Sequence, residues 1–96
     1  MYATIRRYDG VTNASEAIRR VNEGFIPIIS EIPGFAAYYW VDAGGGVMIS
    51  VSVFQDRASA EESNSRASDY VRENLVSLLP NPPQITAGEV VGQTAK

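Results

Sequence analysis

The chain has 96 residues, 45% hydrophobic and 20% charged, a composition that fits one globular domain and excludes a disordered segment. Its net charge is −3 with no cluster of Lys and Arg, so the basic footprint of a nucleic-acid binder is missing. Cys and His are both absent, which excludes disulfides, thiol catalysis, His acid–base chemistry and any metal or haem site that needs such a ligand.

Tyr2 to Asp9 alternates roughly and ends in the turn signal Asp9-Gly10, so it reads as a strand. Asn13 stands three residues before Glu16, the spacing of a capping box. From there Ala14, Ala17, Ile18, Val21, Phe25, Ile28, Ile29 and Ile32 recur at three- and four-residue steps. That stripe predicts an amphipathic helix, with Glu16, Arg19, Arg20 and Glu23 on its wet side. Pro27 falls inside the pattern, lacks a donor and crowds the carbonyl of Glu23, so a kink or a break is expected near Glu23–Phe25. Pro33-Gly34 ends the helix.

Phe35 to Asp42, rich in aromatic and β-branched residues, reads as the second strand. Gly44-Gly45-Gly46 supplies the positive φ angles of a hairpin turn, and Val47 to Phe54 returns as the third strand. Ser59 and Glu62 have capping-box spacing and predict the start of a second helix, its inward stripe running Ala60, Asn64, Ala67, Val71, Leu75 and Leu78. Pro80, Pro82 and Pro83 stop it, and Gln84 to Val91 reads as a weaker last strand. This order predicts an α+β, ferredoxin-like βαββαβ domain over residues 1–92, with a four-stranded antiparallel sheet and both helices on one face; residues 93–96 form a tail.

A sheet covered on one side alternates cleanly between apolar and polar residues. Here Phe35, Ala37, Tyr39 and Val41 share one face of the second strand, while Ala36, Tyr38 and Trp40 share the other. Aromatic side chains on both faces predict a twofold homodimer in which two sheets pack together.

Three short motifs carry a family resemblance: Ile32-Pro33-Gly34-Phe35 entering the second strand, Val51-Ser52-Val53-Phe54 closing the third, and Gly88-Glu89-Val90 in the last. Over nearly its whole length the chain resembles the antibiotic-biosynthesis-monooxygenase-like superfamily of dimeric α/β-barrel proteins. That superfamily holds cofactor-independent oxygenases of polyphenolic substrates, haem-degrading enzymes and members without known activity. The haem-degrading branch holds iron through a His, which this chain lacks. Phe54 stands where many relatives carry a Trp that belongs to the pocket of the cofactor-independent branch.

Candidate ligand-binding residues are Ser63, Asn64, Tyr38, Tyr39, Trp40 and Phe54. Small side chains in the first half of the second helix leave either a cavity or a closer approach to the sheet. Asn64 on the apolar stripe is costly unless partnered, either by a ligand or by a nearby carbonyl. Tyr38 and Trp40 share one face and Tyr39 the other, so one set is expected at the pocket and the other at the partner subunit. Arg6 and Arg7 point to opposite faces of the first strand, and the buried one needs a carboxylate, within the chain or from a second subunit and with Glu89 a plausible candidate, or else a bound anion; the salt bridge is the preferred reading.

The expected function is binding of a small hydrophobic or aromatic molecule between helices and sheet. The alternative is cofactor-independent oxygenation of a polyphenolic or quinol-type substrate, with Asn64, Tyr39 or Tyr38 holding the developing oxyanion. No cofactor, metal, nucleic acid or membrane is expected, and no catalytic residue is assigned. No apolar run approaches the ~20 residues of a membrane span, and Met1–Gly10 lacks the apolar core of a signal peptide, so the expected address is the cytoplasm.

Overall fold

The computed structural model describes residues 1–95; Lys96, at the end of the predicted tail, lies outside them. Strands β1 (Tyr2–Tyr8), β2 (Phe35–Gly44), β3 (Val47–Phe54) and β4 (Gln84–Glu89) pair antiparallel in the order β2-β3-β1-β4. The ferredoxin-like arrangement is therefore present. Central β1 sets Arg6 opposite Ser50 on β3 and Ile85 on β4. The last strand stops two residues short of its predicted end, although the Val90 amide still donates to the Met1 carbonyl at 2.9 Å.

Two helical arms cover one face of the sheet. The first runs through α1 (Ala14–Arg20), a π-helical turn at Val21–Phe25 and α2 (Ile26–Ile29). Asn13 caps it as predicted, its Oδ1 accepting from the Glu16 amide at 3.2 Å. Pro27 neither breaks nor ends the arm. The Ile26 amide reaches back five residues to the Val21 carbonyl, so Pro27 enters as a first-turn residue of α2, where a missing donor costs little.

The second arm is α3 (Arg57–Tyr70) followed by a π-helical turn at Val71–Leu75. Its cap is Asp56 and not the predicted Ser59. The Asp56 carboxylate accepts from the Ser59 amide at 2.8 Å, and a charged acceptor suits a helix N-terminus better than a hydroxyl. In the hairpin Gly44, Gly45 and Gly46 all have positive φ (82°, 62° and 79°), a run that side chains would strain.

The helix-facing side of the sheet carries Thr4, Arg6, Tyr8, Met48, Ser50, Ser52 and Phe54, all buried. Against them pack Val21, Phe25, Ile29, Ile32, Ala60 and Leu75. The opposite side leaves Tyr39 61% exposed, with Ile5 and Val41 near 40%, so it is apolar and uncovered in one copy. Among the described residues no helix is long and apolar enough to cross a membrane.

Candidate functional site

Polar side chains under the second arm converge on one cation. Arg6 points from the central strand toward α3 and is 2% exposed. Its Nη1 donates to Ser50 and Ser52 Oγ on β3, both at 3.4 Å, and its Nη2 donates to Ser63 Oγ at 3.3 Å and to Asn64 Oδ1. Ser63 in turn donates to the Ala60 carbonyl at 2.6 Å. Every partner is a neutral oxygen, and no described carboxylate forms an ion pair with Arg6. The expected bridge to Glu89 is absent. Arg6 and Tyr2, which faces Glu89, lie four residues apart on β1, and exposed Arg7 pairs instead with Asp9 at 3.2 Å.

Arg6 forms part of the wall of a narrow cavity of about 20 Å³ between the arms and the sheet. Around it the aromatic rings stack edge to face: Tyr8 on Trp40 at 6.0 Å and Phe25 on Tyr38 at 5.7 Å, with Phe25 tilted on Tyr70 at 5.5 Å. Arg6, Tyr8, Ala67, Val71 and Leu79 also line a larger pocket of about 300 Å³, which reaches the segment from Pro80 to Pro83. That is the lower end of the range for small-molecule sites.

The two π turns frame this space. Val21, Phe25, Val71 and Leu75 all line the narrow cavity. The arms are joined where their ladders shift: the Tyr70 hydroxyl donates to the Arg20 carbonyl and Arg20 Nη1 to the Asn74 carbonyl, both at 3.0 Å. Asn22 and Asn74 each donate back to a carbonyl four residues earlier, Ile18 at 2.8 Å and Tyr70 at 3.2 Å. Such turns are frequent at functional sites.

Burial pulls the Arg6 guanidinium below its ordinary value, with the Tyr8 and Tyr38 phenols beside it acting the other way. Burial likewise pushes the phenols of Tyr8 and Tyr38 up, so both stay protonated at neutral pH. Two residues lining the narrow cavity, Arg6 and Trp40, each hold a buried donor, Nε and Nε1, that has no partner among the described residues. The site can therefore supply hydrogen bonds to acceptor atoms inside an aromatic enclosure.

Of the residues singled out from sequence, Tyr38 and Trp40 line the narrow cavity, Asn64 lines the larger pocket, and Ser63 supports Arg6 from behind. Tyr39 is not with them, since alternation along β2 sends it to the uncovered face opposite Val51. Phe54 is wholly buried against Phe35, 5.8 Å between ring centres, and does not border either space. Asn64, partly buried, meets the Arg6 side chain and not a backbone carbonyl. Sequence reading passed over Tyr8, Tyr70 and the two π turns, although four-residue spacing along both helices carried the signal for the turns.

No family model matches the sequence, and none of the curated proteins does. Solved structures do match. A protein of unknown function from Nitrosomonas europaea superposes with a TM-score of 0.79 at 18% identity, over 99% of this chain and 93% of that one. A monooxygenase of Streptomyces coelicolor, solved in complex with the ligand nanaomycin D, gives 0.75 at 19%, over 99% and 91%. SnoaB, a cofactor-independent oxygenase from Streptomyces nogalater, gives 0.72 at 10%, over 99% and 97%. The fold is that of the antibiotic biosynthesis monooxygenases. The resemblance read from the three short motifs thus holds at the level of fold. In this fold the larger pocket lies between sheet and second arm, with Arg6 and Asn64 on its wall.

Proposed function

We propose that the chain is one subunit of a homodimer, each subunit binding a small hydrophobic or aromatic molecule between helices and sheet. The observation that carries this reading is the pocket of about 300 Å³ between the second arm and the sheet, which shares Arg6, Tyr8, Ala67, Val71 and Leu79 with the narrow aromatic-walled cavity behind it. The Tyr8 ring, common to both walls, suits a planar guest by offset stacking, and Arg6 and Asn64 offer it polar contacts. The uncovered sheet face supports the dimer. Large side chains such as Tyr39, Val41 and Ile5 would each contribute ~1.5–3 kcal/mol if a second copy covered them.

A second reading is cofactor-independent oxygenation of a polyphenolic or quinol-type substrate. Its support is the fold shared with two oxygenases and the grouping of Arg6, Tyr8 and Asn64 on the wall of the larger pocket. In such a reaction a quinol and O2 give a hydroxyquinone and water. The substrate supplies the electrons, and this chain's residues would hold the developing oxyanion and exclude bulk water.

Trp40 is the one tryptophan of the chain and lines the cavity, so its fluorescence reports occupancy directly. Titration with naphthoquinols and flavonoids is expected to quench it saturably, and no saturable quenching by any of them would contradict the binding reading. Oxygen uptake above the spontaneous rate, with no hydrogen peroxide released, separates the enzyme from the binding protein.

A further inference from the structure

We propose that the molecule held in this pocket carries an oxyanion of the carboxylate class, and that Arg6 receives it. The inference rests on the ligand-binding reading and names the chemical class of the guest. A guanidinium 2% exposed normally has a carboxylate beside it, because desolvating a lone cation is costly. Arg6 has four neutral oxygens instead, from Ser50, Ser52, Ser63 and Asn64. Those dipoles hold the side chain in place without cancelling its charge.

Three further observations point the same way. Arg6 and Trp40, which both line the narrow cavity, each carry a buried donor without a partner among the described residues, Nε and Nε1, so what these two groups lack is an acceptor. Among the described residues the larger pocket is lined by a second arginine, Arg72, and by no Asp or Glu, in a protein whose net charge is −3. Arg72 lies at the surface and pairs with Asp69 at 2.9 Å, which leaves Arg6 as the uncompensated charge. Tyr8 and Tyr38 stand beside Arg6 as neutral phenols, able to donate to an anion without repelling it.

The test compares 2-naphthoate and benzoate with their uncharged methyl esters, by calorimetry and Trp40 fluorescence, on the wild-type chain and on Arg6→Met and Arg6→Gln. The wild-type chain is expected to bind each acid at least about tenfold more tightly than its ester, which corresponds to ~1.4 kcal/mol. Both variants are expected to lose that preference while still binding the esters. Esters that bind the wild-type chain as well as the acids would overturn the oxyanion and leave the aromatic pocket standing, its donors then served by internal water. Failure of acids and esters alike would remove both. The wild-type comparison decides the matter even where a variant does not fold.

Discussion

Arg6 shows how a charge can be buried without a counter-ion when hydroxyl and amide oxygens are aimed at it from two directions. Ser50 and Ser52 arrive by strand register, and Ser63 and Asn64 arrive on successive positions of α3. Arg6→Met removes a desolvated charge but leaves the buried Ser50 and Ser52 oxygens without their donor, so it is expected to cost about 1–3 kcal/mol in urea unfolding. No loss at all would contradict the polar cradle. Asn64→Ala is expected to weaken ligand binding or turnover more than stability, and an unfolding loss above ~2 kcal/mol would contradict this. For Tyr8 and Tyr38 the folded pKa lies above the unfolded value of ~10. Their contribution is therefore complete below pH ~10 and falls as pH rises beyond it, which unfolding measured across that range checks. Asn64 and Ser63 were legible from sequence because a polar pair interrupts an apolar stripe. Arg6 was misassigned because the rule that buried cations meet carboxylates gave Glu89, and only register shows that serines occupy the space.

At the scale of elements, both helices carry a signature in their spacing. Ala17, Val21, Phe25 and Ile29 are buried at successive four-residue steps, and Ala67, Val71, Leu75 and Leu79 repeat the pattern with only Val71 partly open. A regular α-helix drifts by roughly 40° at each such step, too far to keep four residues on one face. One widened turn in each arm absorbs the drift. Helix existence and, in the first arm, the place of the irregularity were thus readable from periodicity and Pro27, but its form, a widened turn, needed the period to be measured. Gly24 shows what the turn demands, since a Cβ there would run into the Tyr70 hydroxyl that holds the Arg20 carbonyl. Gly24→Ala is expected to destabilise by ~1–3 kcal/mol, and Tyr70→Phe in the same chain is expected to recover part of that loss. A purely additive double variant would contradict the contact.

The whole molecule combines a sheet with two apolar faces and a pocket on the covered one. Both faces were visible in the aromatic run from Tyr38 to Trp40, whereas the side belonging to the helices was not, because alternation assigns partners and not direction. Burial of Met48 and Phe54 places Tyr38 and Trp40 inward and Tyr39 outward. Light scattering is expected to give twice the 10.4 kDa of one chain, and Tyr39→Lys is expected to lower that mass without changing ligand affinity in the pocket. A stable wild-type monomer at micromolar concentration would contradict the paired sheets. The claim that most depends on this architecture is that the space between arms and sheet holds a guest. A crystal structure of the protein grown with a naphthoquinol tests it most directly. Ordered ligand density between Tyr38, Trp40 and the second arm, with an oxygen atom against Arg6, is the predicted result. A saturated crystal showing a closed core with Arg6 bonded only to its serines, and the ligand elsewhere, would contradict it.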